Sequence, residues 1–137
     1  MILRYTPEQW REYSEGAHAA VFGKNKPAER DRISYALLSV DEKTERLIGY
    51  VTVREHDHES VYWQFGGAFP ALRNTTFPVR AYDEAIRYQQ RLSKRIGTYV
   101  ENTNYPMLKM ALKFGFLIVG TRNFNGNVLV DLTKEFK

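Results

Sequence analysis

The chain has 137 residues, of which 43% are hydrophobic and 14% aromatic, and its formal net charge is +4. This length supports a single domain, residues 1–137, with a substantial core. The sequence lacks the run of roughly 18 apolar residues of a membrane span, the apolar core of a secretion signal, and any cysteine for a disulfide or thiolate site. We therefore expect a cytoplasmic protein. Its scattered basic residues indicate either an ordinary surface or weak attraction for a polyanion such as a nucleotide cofactor.

The first part of the chain predicts a short strand followed by a helix. Met1–Tyr5 alternates weakly between apolar and polar residues. Thr6–Gln9 has the pattern of a capping box, with proline at the first helical position. Apolar residues then recur at helical spacing up to Gly23, which ends the helix. The polar segment after it predicts one short helical turn near Pro27.

Three strands follow in the middle of the chain. Ile33–Val40 and Leu47–Arg54 are rich in β-branched and aromatic residues and predict a hairpin. Val61–Phe69 predicts a third strand, which is interrupted by Gly66-Gly67. Paired glycines within a strand pattern indicate a bulge there, or the close approach of another backbone or a ligand.

The second half predicts a strand–helix–strand unit and a final hairpin. Pro78–Lys94 has the periodicity of a helix, with Thr76 as its cap and with early acidic and late basic residues that match the helix dipole. Arg95–Glu101 predicts a strand that pairs in parallel with the strand before this helix. The hairpin turns at Asn125-Gly126, and its strands are Phe116–Arg122 and Asn127–Leu132.

The segment from Val100 to Phe116 predicts a strand end, a short buried helix and a glycine stop. Asn104 can cap this helix, and Pro106 is tolerated only in its first turn. Gly115 fits the left-handed position just past a helix end. The helix is apolar around most of its circumference, so most of it should be packed.

The order of these elements defines the expected fold class. We expect an α/β (α+β) domain, in which a mixed, mostly antiparallel sheet of about six or seven strands is flanked by three or four helices.

This order, together with Val100, Asn104, Met107-Leu108 and Gly115-Phe116, resembles the GCN5-related N-acetyltransferase (GNAT) superfamily over nearly the whole chain. Phe69-Pro70-Ala71-Leu72-Arg73 resembles the start of that family's phosphate loop. The resemblance implies transfer of an acyl group, usually acetyl, from coenzyme A to an amine. Acetyl-CoA would be the co-substrate and would lie where the fourth and fifth strands splay apart.

The resemblance also implies which residues hold the cofactor. The backbone of the bulged strand would pair with the pantetheine arm, and the following loop would wrap the pyrophosphate at a helix N-terminus, where unpaired amides favour an anion. The residues in these positions are Gly67, Ala68, Phe69, Arg73, Asn74, Thr75, Thr76, Phe77 and Asn104.

Two departures from the family pattern bear on function. Thr76 and Pro78 replace the two small residues of the phosphate loop, and proline offers no amide donor. Ala111 stands where many family members carry a tyrosine that protonates the leaving thiolate. We expect weakened phosphate binding, and the usual proton donor is missing.

Three residues are candidate catalytic groups. Glu55 and His58 belong to the charged loop before the cofactor strand, which either supplies a base or lines the acceptor pocket, or is simply a solvated hairpin loop. His56 and His58 could bind a metal from one strand face, but a third and fourth ligand are not evident, so we expect no metal site. Tyr105 either partly replaces the missing tyrosine or packs beneath its turn.

Three hypotheses for function remain. The leading one is an acyl-CoA-dependent N-acetyltransferase that acts on a small-molecule or peptide amine, with a homodimer as one option for its assembly. The alternative is a non-catalytic domain of the same fold that binds a ligand or partner. The third, a nucleic-acid-binding protein, is prompted only by the basic charge and is not the one we expect; no membrane partner is expected either.

Overall fold

The computed structural model describes residues 1–22, 32–68 and 75–136. Within them the chain forms seven strands and three helices. In chain order these are β1 (Ile2–Tyr5), α1 (Pro7–Phe22), β2 (Tyr35–Val40), β3 (Leu47–Glu55), β4 (Ser60–Ala68), α2 (Phe77–Gln90), β5 (Arg95–Glu101), α3 (Tyr105–Lys113), β6 (Leu117–Phe124) and β7 (Asn127–Glu135). The predicted turn near Pro27 lies outside the described residues.

The strands form a single mixed sheet in the order β1-β2-β3-β4-β5-β7-β6. Among the seven described strands, only β4 and β5 pair in parallel; the other neighbouring strands are antiparallel. Parallel neighbours need a crossover connection, and α2 lies in the connection between β4 and β5. The predicted fold class and the predicted parallel pair are confirmed.

Local signals in the sequence start and end several elements as predicted. Thr6 and Gln9 form a reciprocal capping box, in which each backbone amide donates to the side chain of the other residue. The side chain of Asn104 accepts a hydrogen bond from the Met107 amide at 3.4 Å. Gly115 has φ of +89° just past α3, a conformation that costs glycine little.

The sheet is covered on both faces, by different helices. Leu37, Trp63 and Phe116 belong to one core, which packs against α2 and α3. Ala36 and Leu38 point to the opposite face of β2 and belong to a second core with α1. Among the described residues this second core contains none from β5, β6 or β7. Strands β5, β6 and β7 are therefore not covered by α1 on the face that α1 covers elsewhere in the sheet.

One boundary prediction was wrong, and one predicted cap makes no side-chain bond. The helix predicted to end at Lys94 ends at Gln90, since Arg91 takes the C-cap position and the Leu92 amide bonds to Gln89 in a turn. Thr76 holds the predicted N-cap position but makes no side-chain cap bond. Its neighbour Thr75 instead accepts a bond from the Phe77 amide at 3.2 Å.

The predicted bulge at Gly66-Gly67 is also displaced. Both glycines pair in register with β3, and the irregularity lies just before them. Between the pairs Val53–Trp63 and Val51–Gly66, β3 has one residue and β4 has two. The bulge therefore falls on residues 64 and 65 of β4.

Candidate functional site

A cleft opens where β4 and β5 part. The two strands pair from Ser60 and Arg95 up to Trp63 and Thr98, and their pairing stops there. The hydroxyl of Thr98 donates to the carbonyl oxygen of Trp63 at 3.0 Å, which closes the base of the fork. The bulge follows directly on β4, and bulges bend a strand and strengthen its twist. The remainder of β4 is therefore free to diverge from β5.

The cleft contains a cavity of about 420 Å³. Side chains of α2 and α3 form one side of it, and strands from β2 to β5 form the other. Most of the residues that line it are apolar; the others include Ser39, Gln64, Thr98, Glu101 and Asn104, together with Tyr50, Tyr82 and Tyr99. An apolar cleft with a few polar groups is the usual form of a ligand site.

The two glycines of β4 are required by close packing. A Cβ atom built on Gly66 would lie 2.5 Å from the carbonyl oxygen of Tyr50 and 3.0 Å from the Cα of Val51. A Cβ atom on Gly67 would lie 2.8 Å from Cγ1 of Val21 on α1. The predicted close approach of another backbone is therefore observed at Gly66, whereas the close neighbour of Gly67 is a side chain.

Two buried polar atoms in the wall of this cleft have no hydrogen-bond partner among the described residues. They are Oε1 of Gln64 and the hydroxyl of Tyr82. Burial raises the pKa of Tyr82, which keeps the phenol neutral. Leaving such a group unsatisfied costs about 1–3 kcal/mol.

The N-terminus of α2 offers fewer free amides than most helices. The Phe77 amide already donates to Thr75, and Pro78 has none. Thr75 and Thr76 are exposed, and Pro78 lines the cleft. The cofactor roles predicted for Thr75, Thr76 and Phe77 stay predictions.

The α3 side of the cleft carries Asn104 but not the predicted tyrosine. Asn104 and Met107 line the cavity. Tyr105 is 71% exposed, and it is not among the described residues that line the cavity. Ala111 is fully buried in the core, so the position at which the family often has a tyrosine presents no polar atom.

A cluster of polar and aromatic side chains lies on the opposite face of the sheet, beside the same fork. Trp63 and Val100 point toward α2 and α3, so their neighbours Tyr62 and Tyr99 point the other way. The two tyrosine rings stack with centroids 6.2 Å apart. Arg122 donates to the hydroxyl of Tyr62 at 3.2 Å and pairs with Asp131 at 3.0 Å. Strands β4 to β7 all contribute to this cluster, which pattern reasoning on the sequence missed.

Glu101 is the only carboxylate residue among the described residues that line the cleft. It ends β5, two residues after Tyr99, and therefore faces the same side of the sheet as Tyr99. It is exposed, and its carboxylate makes no hydrogen bond or ion pair with the described residues. A strand-ending glutamate gives no sequence signal of its own, because only the pairing of β4 with β5 brings it to the fork.

The candidate bases predicted from the sequence lie elsewhere. Glu55 and His58 line a separate cavity of about 210 Å³, together with Asp57. This loop precedes β4, whose first residue is Ser60, whereas the fork opens after Trp63 and the bulge. At about 3.3 Å per residue, the loop and the glycines at the far end of β4 are roughly 20 Å apart. The structure does not bring these two side chains into the cleft.

Other predicted cofactor residues are described only in part. Gly67 lines the cleft, and Ala68 is the last residue of β4. Phe69, Arg73 and Asn74 lie outside the described residues. The described residues contain no group of three or more potential metal-ligating side chains of the His, Cys, Asp and Glu types.

No protein-family model matches the sequence, and no curated protein matches it. The structure is nevertheless similar to solved acetyltransferases over almost its full length. An IAA acetyltransferase from Bacillus cereus aligns with a TM-score of 0.76 at 12% identity and covers 99% of each chain. A GNAT family acetyltransferase from Elizabethkingia anophelis, solved with acetyl-CoA bound, has a TM-score of 0.74 at 15% identity, with 99% of this chain and 97% of that chain covered.

A third similar structure is Arabidopsis thaliana Naa50 in complex with the bisubstrate analogue CoA-Ac-MVNAL. Its TM-score is 0.75 at 14% identity, and the alignment covers 98% of this chain and 99% of that chain. The chain therefore has the GNAT fold, as the sequence resemblance implied. Within the described residues, no helix is both long and apolar enough to span a bilayer.

Proposed function

We propose that this chain, which has the fold of GNAT acetyltransferases, transfers an acetyl group from acetyl-CoA to an amine by direct attack. The observation that carries the proposal is the apolar cleft between the parallel strands β4 and β5. In the reaction the amine nitrogen forms a bond to the thioester carbon, the carbon–sulfur bond breaks, and the sulfur leaves as thiolate. The amine proton passes to a base.

The free part of β4 is suited to hold the pantetheine arm. After Trp63 the strand has no pairing partner among the described residues on the β5 side, so backbone groups on that edge are available to an extended ligand. A backbone amide there would also stabilise the negative charge that develops on the thioester oxygen. Gly67 and Ala68 are the residues of β4 that we assign to this role.

The acceptor amine approaches, in this proposal, from the face that carries Tyr62 and Tyr99. Glu101 lies on that face and lines the cleft, so we assign it as the base that accepts the amine proton. Arg122 already pairs with Asp131, so that carboxylate is less suited to the same task. The stacked rings would flank the acceptor.

The test compares two isosteric variants, Glu101→Gln and Glu55→Gln. Binding of acetyl-CoA is measured by calorimetry, and transfer is measured by release of free thiol with amino acids, polyamines and peptides as acceptors. A general base contributes on the order of 100-fold or more, so Glu101→Gln should lower kcat by about that factor at neutral pH with little change in acetyl-CoA affinity. Glu55→Gln, whose side chain lies outside the cleft, serves as the control and should match the wild type.

The pH dependence sharpens this test. At high pH the acceptor amine is already neutral, so the difference between Glu101→Gln and the wild type should shrink. Equal losses in both variants, or a difference that does not change with pH, would count against Glu101. An absence of acetyl-CoA binding at millimolar concentration would end the proposal of an enzyme.

A second candidate function is a non-catalytic domain of the GNAT fold that binds a ligand or partner. Three observations favour it. The amide of Phe77 already donates to Thr75, Pro78 has no amide hydrogen to donate, and Ala111 offers no polar side-chain atom. It predicts that acetyl-CoA is either not bound, or bound without transfer to any amine tested. Turnover with any acceptor would exclude it.

The nature of the acceptor is the least constrained part of the proposal. A peptide amine is supported only by analogy with similar structures solved with bisubstrate analogues. The predicted homodimer and the predicted cytoplasmic location stay predictions.

A further inference from the structure

We propose that β6 is the interface of a dimer of this chain, in which the β6 strands of two copies pair antiparallel about a two-fold axis. The sheet of one copy then continues into the sheet of the other. This proposal goes beyond the proposed function and does not rest on it, because none of the described residues that line the cleft belongs to β6.

The first argument is that β6 is an edge strand with little protection against pairing. Among the described strands it pairs only with β7, so the backbone groups on its outer side have no strand partner. All eight of its residues are exposed. Its single charged residue, Arg122, already pairs with Asp131 of the same chain. Four large apolar side chains of the strand are each more than half exposed, namely Leu117, Ile118, Val119 and Phe124.

The other edge of the described sheet is built differently. β1 has only four residues, and short edge strands are one means by which proteins avoid pairing with other chains. Ile2 packs against the core under α2 and α3, and Leu3 and Tyr5 pack against the second core. The apolar side chains of β1 are therefore used within the chain. Among the described residues neither core contains one from β6, and an exposed apolar surface of this kind indicates contact with another chain.

The second argument begins with the side chains of β6 that share a face. Leu117 pairs with Thr133 and Phe124 pairs with Asn127, and these two residues of β7 are six positions apart. An even separation places both pairs on one face of the sheet. Leu117 and Phe124 therefore share a face although they are seven positions apart, because the bulge at Val119 adds one residue to β6.

This arrangement makes β6 complementary to itself, which is why we assign a second copy as the partner. When Thr121 lies opposite Thr121 of the second copy, Gly120 lies opposite Arg122 of that copy. Past the bulge, Leu117 lies opposite Phe124 of the second copy, on one shared face. The charged side chain thus faces a residue without a side chain, and the two large apolar residues face each other. A two-fold contact forms every pair twice and leaves neither β6 edge free, so the assembly closes as a dimer.

The first experiment tests the contact between Leu117 and Phe124 by exchanging charges. Within one copy these residues are six strand positions apart, or roughly 20 Å, so they cannot contact each other. Leu117→Lys/Phe124→Lys places like charges opposite each other and should raise the dissociation constant of the dimer by about tenfold or more. Leu117→Lys/Phe124→Glu places opposite charges there and should recover most of this loss, less so at high salt.

The dissociation constants are measured by sedimentation equilibrium of the full chain over the micromolar range. Val79→Lys/Leu92→Lys is the matched control, because it adds the same charge at two exposed apolar residues outside β6. This control should dimerise as the wild type does. Circular dichroism checks that each variant is folded.

The second experiment uses the absence of cysteine from the sequence. Opposed residues of antiparallel strands have Cα atoms about 4.5–5.5 Å apart, which is within the range of a disulfide. Thr121→Cys should therefore give a disulfide-linked dimer on mild oxidation, visible on a non-reducing gel. Asn123→Cys is its matched control, since this residue is exposed on the same face of the same strand. It would lie about 13 Å from its counterpart, four strand positions away, and should stay monomeric on the gel.

Four results would overturn the proposal. They are a wild-type chain that sediments as a monomer throughout, a dimer that survives Leu117→Lys/Phe124→Lys, equal cross-linking of the two cysteine variants, and growth into larger species as the concentration rises. If the lysine variant fails to fold, the pair of cysteine variants decides the question alone. None of these measurements involves acetyl-CoA, so this proposal and the proposed function fail separately.

Discussion

Replacement of Gly66 by alanine should destabilise the protein by forcing β4 away from β3. The new Cβ would lie 2.5 Å from the carbonyl oxygen of Tyr50, 3.0 Å from the Cα of Val51 and 3.1 Å from its Cβ. Two of these atoms are backbone, so no side-chain rotation relieves the contact. Carbon contacts are optimal at about 3.5–4.0 Å, so the strands must separate by roughly 1 Å.

The expected magnitude follows from measured overpacking in protein cores, which costs about 1–3 kcal/mol. For a domain of this size that corresponds to a fall in Tm of roughly 5–10 °C. Unfolding in urea should give a lower midpoint with an unchanged m-value, since the surface exposed on unfolding stays the same. Because the displaced segment borders the cleft, acetyl-CoA affinity should fall as well.

Gly120→Ala is the matched control. Gly120 also lies in a strand, but a Cβ atom there meets no atom of the described residues within 4 Å, and its φ is not positive. This variant should be neutral or stabilised by up to about 1 kcal/mol, because alanine reduces the freedom of the unfolded chain. If Gly66→Ala and Gly120→Ala have the same stability, the argument from close packing is refuted.

Two further predictions concern buried hydrogen bonds and pH. Gln89→Leu should lower the free energy of unfolding, measured by urea titration, by about 2–4 kcal/mol. The reason is that it leaves the indole N–H of Trp63 and the hydroxyl of Tyr35 without their buried partner. An unchanged urea midpoint would contradict this account of the core. Burial raises the pKa of Tyr62 from 10.0 to about 12, so the unfolded chain loses this proton first and the free energy of unfolding should decrease as pH rises through that interval. Tyr62→Phe should show a smaller decrease between pH 10 and 12 than the wild type, and identical slopes would count against the burial of this hydroxyl.

Much of the fold could be predicted because its boundaries are set by short-range interactions. The Thr6 capping box, the Asn104 cap and the turn at Asn125-Gly126 each involve residues no more than a few positions apart. Such signals need no knowledge of the remainder of the chain. The predicted end of α2 at Lys94 was wrong because this end involves contacts between residues distant in the chain. The side chain of Gln89 bonds to Trp63 and Tyr35 within the core, and the chain turns directly after Gln89.

The candidate site was predicted less well, because it depends on which strands become neighbours. The density of charged groups drew attention to Glu55 and His58, but these precede β4 and lie at the end of that strand away from the fork. Glu101 gave no comparable signal, although it lines the cleft. The position of a carboxylate relative to the fork follows from the parallel register of β4 and β5, which is absent from any local pattern.

The sequence by itself determined the order and the approximate positions of the helices and strands, and that the two strands flanking the long helix would pair in parallel. These properties arise from backbone preferences and from side chains within one or two turns of each other. Only the tertiary structure decided which polar atoms remain unpaired. Gln64 and Tyr82 are 18 positions apart, on different elements, and each has a buried side-chain oxygen with no hydrogen-bond partner among the described residues. Whether a buried oxygen finds a partner depends on contacts between segments distant in the chain, so the polar groups that a ligand can use are settled by packing.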